Sequence, residues 1–280
     1  SIKEVLEENV GKDFRKAQIK RDIAYINLQK EQGRLTSGEA DYWKEKIGNL
    51  QEYQYGYHKG WSMILDTLTW PVLIMICIGI APIFAGEYQS KCDSLILCMK
   101  YGRSKLILAK IISGWLYATG VYWGITLIYS SIYMIFLGTQ GADLPIQLKY
   151  PAMSVGYNLT MGEAVGITLL LGYFFTLGIM GITLFMSALL KNTYAVIIVA
   201  FLLIIIPTFL SLDTGGYVWS HVLSLLPPKI ADFSFQSYTA YSIGNIVLSW
   251  PVMAILVNAI VAVLCSVLGY IIFRKHQVNK

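Results

Sequence analysis

Five apolar runs constrain this chain more than any other feature. They cover residues 68–85, 106–137, 164–190, 195–212 and 250–273. A helix needs about 20 apolar residues to cross a bilayer, because the hydrocarbon core is about 30 Å thick and each residue rises about 1.5 Å. No water is available there, so backbone N–H and C=O groups must pair within the segment, and each run reads as a helix. The run at 106–137 exceeds what a bilayer needs, which predicts tilt or an extension beyond the lipid. Trp61 and Trp70 front the first run as interface anchors. Pro207, near the end of the fourth, can kink it. The expected fold is an all-α polytopic membrane protein of about five transmembrane helices.

Charge is scarce and unevenly placed. Of 280 residues 55% are hydrophobic and 14% charged, against about 25% charged in a soluble domain. Residues 1–60 hold 11 Lys/Arg and 10 Asp/Glu, more than half of the total. They read as a separate segment of two helices. The first covers about 3–30. The second, about 39–57, opens at a capping box made by Thr36 and Glu39 and carries Tyr42, Trp43, Ile47, Leu50, Tyr53 and Tyr57 as its apolar points. A helical hairpin packed on itself or on a second copy is expected. The net charge of +5 is no nucleic-acid signature, because the basic residues beyond this segment lie at membrane borders.

The same borders set the orientation. With the stretch 87–110 inside, nine Lys/Arg lie inside, whereas the short outer loops hold only Lys149 and Lys229. The positive-inside rule then puts residues 1–60 outside and the C-terminus in the cytoplasm. Lys44, Lys46 and Lys59 lie on the outer side against that rule. A further span upstream of Ser1 would satisfy the topology.

Motifs for bond chemistry are absent. There is no GxxxxGK[ST], HExxH or GxSxG, and Cys77, Cys92, Cys98 and Cys265 have neither disulfide-framework nor zinc spacing. His58, His221 and His276 read as solvated surface residues. Asp66 and Glu163 sit at outer helix ends where a carboxylate stays wet. No catalytic residue, metal or cofactor is expected. The aromatics Trp115, Tyr122, Trp123 and Tyr129 on the second run pack helices and meet lipid, or line a path for an amphipathic substrate. The connection 213–249 is expected to dip into the interface as short helices.

Between the first two runs lies a charged island, with Glu87, Lys91, Asp93, Lys100, Arg103, Lys105 and Lys110. Tyr88, Cys92, Leu95 and Met99 recur there at helical spacing, which predicts an amphipathic helix over 87–101. Glu87 at its start suits the helix dipole and can pair with Lys91. Gly102 closes it, since glycine accepts a left-handed backbone. A linker helix lying on the lipid accounts for the same pattern.

Phe84-Ala-Gly-Glu87, the amphipathic stretch, then Gly102-Arg103-Ser-Lys105 and Ala109-Lys110 resemble the type-2 ATP-binding-cassette (ABC) transporter permeases of Firmicutes. The similarity covers about 61–280, including the tail Phe273-Arg-Lys. It implies six spans with both termini inside, of which this chain lacks the first, and makes residues 1–60 an extracellular insertion. It also implies that 87–101 is a coupling helix seated in a cytoplasmic ATPase subunit, with Glu87, Tyr88, Lys91, Cys92, Leu95, Met99 and Arg103 at the contact. ATP binding there would draw two permease chains, alike or different, together in a bacterial cell membrane and export a peptide, antibiotic or lipid-like cargo. Two other readings stand beside it. One is a membrane sensor or scaffold whose outer hairpin binds a ligand. The other, an intramembrane enzyme, lacks any catalytic constellation.

Overall fold

The computed structural model describes residues 11–50, 56–66, 69–102, 104–150, 155–210, 216–226, 235–244 and 246–275. Four helices within them are long and apolar enough to cross a membrane: Pro71–Gln89, Lys105–Leu137, Met161–Leu189 and Trp250–Lys275. The chain is a largely helical, multi-pass membrane protein.

In chain order, α1 (Gly11–Glu31), α2 (Ser37–Gly48) and α3 (Lys59–Leu65) precede the first span, which is itself split into α4 (Thr69–Ile80) and α5 (Pro82–Gln89). Then come α6 (Asp93–Cys98), α7 (Lys105–Leu137), α8 (Met161–Leu189), α9 (Thr193–Ile205), α10 (Tyr217–Ser224), the hairpin β1 (Ala240–Ile243) and β2 (Ile246–Ser249), and α11 (Trp250–Lys275). The capping box at Thr36 and Glu39 is present, but α2 stops at Gly48 and not near residue 57. The part of the first helix expected over residues 3–10 lies outside the described residues.

Of the spanning helices, α8 is the most buried and touches all the others. Its closest neighbour is α11. A Cβ on Gly181 would lie 2.8 Å from the Cα of Ala262, so only glycine permits that approach. Polar side chains inside the bundle bond back to their own helices: Thr183 to the Ile179 carbonyl at 2.8 Å and Asn258 to the Ala254 carbonyl at 2.8 Å. The break between α4 and α5 is handled from α8. Pro82 starts a new helix, and the Phe84 and Ala85 N–H groups donate to Ser187 Oγ at 3.0 Å each. The same hydroxyl donates to the Ala81 carbonyl at 2.7 Å, so one serine satisfies three orphaned backbone groups.

The fourth apolar run differs from its expectation. Its helix, α9, has 13 residues, about 20 Å long against about 30 Å of hydrocarbon. It gives way to a 3₁₀ turn, Ile206–Phe209, where Pro207 has no N–H to continue the α-helical ladder, although Ile206 itself keeps α dihedrals. The chain still changes ends here. Asn192 accepts from Gln89 at one end of the bundle, and Tyr217 meets Glu39 at the other.

That second end carries a cap. α1, α2, α3, the loop 138–160 and the hairpin share one apolar core around Trp43, Ile47, Ile64, Ile146, Tyr157 and Ala240. With 33 residues, about 50 Å, α7 reaches into it, as its length predicted. Among its described residues, 216–226, 235–244 and 246–249, the connection 213–249 holds an eight-residue helix and a two-stranded antiparallel sheet with Ala240 opposite Ser249. Aromatic and β-branched residues, Tyr241 and Ile243 before Gly244 and Ile246 and Val247 after it, suit the strands, and the positive φ of Gly244 suits the turn.

Candidate functional site

At the island end the first span closes on its neighbours. The Phe84 ring lies 4.6 Å from Phe273, and Tyr88 lies 5.5 Å from the same ring while its hydroxyl donates to the Ala188 carbonyl at 3.2 Å. Glu87 pairs with Lys110 of α7, whose ammonium also donates to the Ile83 carbonyl at 2.9 Å. Glu87 is therefore in the last turns of α5, not at a helix start, and its ion pair reaches across helices instead of along one.

The amphipathic helix over 87–101 is broken. α5 ends at Gln89, Lys91 takes a left-handed φ of 56°, and α6 spans six residues before Met99 turns extended. Tyr88 is bound into the membrane bundle, so it shares no face with Cys92, Leu95 and Met99. Those three are exposed, Leu95 to 71%. Gly102 does not carry the left-handed turn. It is needed because any Cβ there would strike the carbonyl oxygen of Ile96. The ammonium groups of Lys100 and Lys105 lie 5.5 and 4.7 Å from the centre of the Tyr101 ring. Arg103 lies outside the described residues.

The aromatics of α7 are joined to other helices. The Trp115 indole donates to Ser266 Oγ at 3.2 Å, and the Tyr122 hydroxyl donates to the Leu169 carbonyl at 2.6 Å. Trp123 packs on Tyr173 with ring centres 5.7 Å apart, and Tyr129 donates to the Met63 carbonyl at 3.5 Å. These contacts follow the helix-packing reading of the four residues.

The cap holds a constellation that sequence reasoning missed. Glu39 of α2 is fully buried, and its carboxylate accepts three hydrogen bonds. Tyr217 Oη and the Ser242 N–H donate to Oε1 at 2.8 and 3.2 Å, and the Thr36 N–H donates to Oε2 at 2.9 Å. His221 corrects the expectation of a solvated histidine. It is buried, stacked on Tyr217 with ring centres 3.9 Å apart, and 3.8 Å from Glu39 Oε1. Tyr241 donates to the His221 carbonyl at 2.8 Å, and the Trp250 indole donates to the Ser224 carbonyl at 3.2 Å, which ties the hairpin and α11 to α10. Burial, then the hydrogen bond and charge of Glu39, push Tyr217 up to about 12. Burial first also raises Tyr241 to about 12. Beside the network a cleft of about 170 Å³ is lined by Tyr25, Gln29, Arg34, Ser220, His221 and Tyr238, among others.

Nearer the membrane, Lys149 donates to Asp66 Oδ1 at 2.7 Å and to the Ser62 carbonyl at 2.9 Å. Burial lowers the Lys149 ammonium, and the Asp66 carboxylate opposes that shift. Asp66 itself is exposed, as its position at a helix end predicted. Glu163 closes a second capping box, with Thr160 at the start of α8.

Bundle, island and cap together define a largely helical, multi-pass membrane protein with a folded cap at one end of its bundle. The sequence family described as "Protein of unknown function (DUF2705)" matches residues 34–278, and the chain belongs to it. No curated protein and no solved structure matches the chain.

Proposed function

We propose that the protein is the membrane-spanning permease subunit of an ATP-binding-cassette transporter, exporting a peptide, antibiotic or lipid-like molecule with ATP hydrolysed by a separate subunit. The observation that carries this reading is the island. Leu95 and Met99 are displayed to solvent on a short, bent segment rooted by the Glu87–Lys110 pair between α5 and α7. Exposed apolar side chains beside lysines suit the cleft of a cytoplasmic partner protein. A push on α6 would reach two spans through one ion pair. The excess of basic residues at this end favours a cytoplasmic island and an outer cap. Two such chains, alike or different, would enclose the path in a bacterial cell membrane.

A pull-down of the full-length protein in mild detergent tests the reading. A stoichiometric P-loop ATPase in the eluate, with hydrolysis that falls when Glu87 is changed to Gln, is the expected result. A protein that purifies alone would return the island to a linker on the lipid. The second reading, a membrane sensor, would then lead, because the cap has a cleft of about 170 Å³ with a polar and aromatic lining.

A further inference from the structure

We propose that the cap is closed by a protonated latch. His221 as an imidazolium bridges α10 and β1, and Glu39 of α2 is its counter-ion. The argument starts from the two ring nitrogens. Nδ1 lies 2.8 Å from the Tyr217 carbonyl oxygen, and Nε2 lies 2.9 Å from the Ala240 carbonyl oxygen. Both partners are acceptors. A neutral imidazole has one N–H, so in either tautomer a nitrogen lone pair would face a carbonyl lone pair at hydrogen-bond distance. Ser220 Oγ, 3.4 Å from Nδ1, does not remove that clash. Only the doubly protonated ring donates to both carbonyls.

The surroundings fit a cation. Glu39 Oε1 is 3.8 Å from Nε2, and the three donors on its carboxylate are those of an ionised group. Two buried charges of opposite sign thereby compensate each other, whereas either alone would be costly. The other titratable groups around the ring are Tyr217 on its own helix, Tyr241 on β1, and Tyr25, Arg34 and Tyr238 around the adjoining cleft. His221 is the group whose two ring nitrogens each face a carbonyl, so its second proton is the one the contacts require.

The consequence has a definite sign. Loss of one proton from His221 turns a ring lone pair onto a backbone carbonyl at hydrogen-bond distance and leaves Glu39 without its counter-ion. The contacts that join α2, α10 and β1 then weaken, and the cleft wall that His221 forms is freed. The cap is closed at acid pH and loosens as pH rises through the histidine range. This holds whichever transport or sensing role the protein has.

The test uses the full-length protein in nanodiscs with ¹⁵N-labelled histidine. Ring-nitrogen chemical shifts report whether His221, assigned by its loss in His221→Gln, carries one or two N–H groups. Amide hydrogen exchange of α2, α10 and the hairpin, corrected for intrinsic pH dependence, is followed between about pH 5 and pH 8. The expected result is two N–H groups in the closed cap, with the opening equilibrium rising by up to about tenfold per pH unit as that proton is lost, the slope of a one-proton linkage. Glu39→Gln keeps the size and polarity of the side chain and should flatten the slope, while α8 and α11 show none. A single N–H on His221 in the protected cap, or pH-independent protection in the unmodified protein, would overturn the latch.

Discussion

The two ends of the bundle solve opposite problems. At the cap end, charged and polar groups are taken out of water and matched to partners: Glu39 has three donors, and His221 has two carbonyls and a carboxylate. At the island end, apolar side chains are left uncovered by the rest of the chain, on a backbone that bends twice within a few residues. A buried polar network is stable only when nearly complete, so it fixes one arrangement. An exposed apolar segment on a short helix has little to fix it locally and gains most by meeting a partner. The first is built to hold a shape, the second to be held.

The largest effect should come from breaking the cap. Glu39→Ala strands the Tyr217 hydroxyl, two backbone N–H groups and a buried imidazole together. Removing one partner of a buried pair costs about 3–5 kcal/mol. Thermal unfolding in detergent should show that loss, and hydrogen exchange should place it in α2, α10 and the hairpin. Equal loosening at the island would break the comparison, because the two ends would then unfold as one unit. Ser187→Ala ranks next. It orphans the Phe84 and Ala85 N–H groups and the Ala81 carbonyl inside the bundle, at about 1–3 kcal/mol for each group left unsatisfied. Raised exchange at the α4–α5 break, with the cap unchanged, is the expected pattern.

What the sequence made legible follows the range of the forces involved. Span positions came from runs of apolar residues, a signal local to each helix, and the Thr36–Glu39 capping box came from three-residue spacing. The second half of Glu39's role was hidden. Its Oε1 partners, Tyr217 and Ser242, lie 178 and 203 residues away, and no local pattern encodes such pairs. The same holds for Lys110 and Glu87, 23 residues apart, where helical spacing pointed to Lys91. Leu95 and Met99 were read correctly as apolar points. The continuous helix beneath them failed because periodicity cannot see a single left-handed residue such as Lys91. The hairpin had a local signal, a Gly244-Asn245 dipeptide between aromatic and β-branched residues, which the apolar character of the whole connection masked.

Alkaline pH gives a smaller, graded way to sharpen the contrast. Tyr217 and Tyr241 are both pushed up to about 12 from their usual value near 10. A group whose folded value is raised contributes stability that is full below its unfolded value and lost as pH climbs through the folded one. The cap stability that remains once His221 has lost its proton should therefore fall further between about pH 10 and pH 12, where the unfolded tyrosines ionise first. Tyr217→Phe should shallow that fall, read by the ultraviolet absorbance of tyrosinate alongside exchange of α10. An unchanged slope in the variant would mean that the tyrosines ionise with the cap still closed.

The smallest effect on stability belongs to the island, and there it is the informative result. Leu95 is exposed to 71%, so Leu95→Asp removes almost no buried surface. Folding should shift by no more than about 0.5 kcal/mol, the usual range for surface substitutions. If α6 seats in a partner ATPase as proposed, the same change places a carboxylate in an apolar contact and should abolish co-purification. Met99→Asp should do likewise from the neighbouring turn. Lost association with unchanged unfolding would assign the exposed apolar side chains to binding. Lost association with matching instability would instead mean that Leu95 supports the fold of the island, and the contrast between a closed end and a displayed end would fail at its second half.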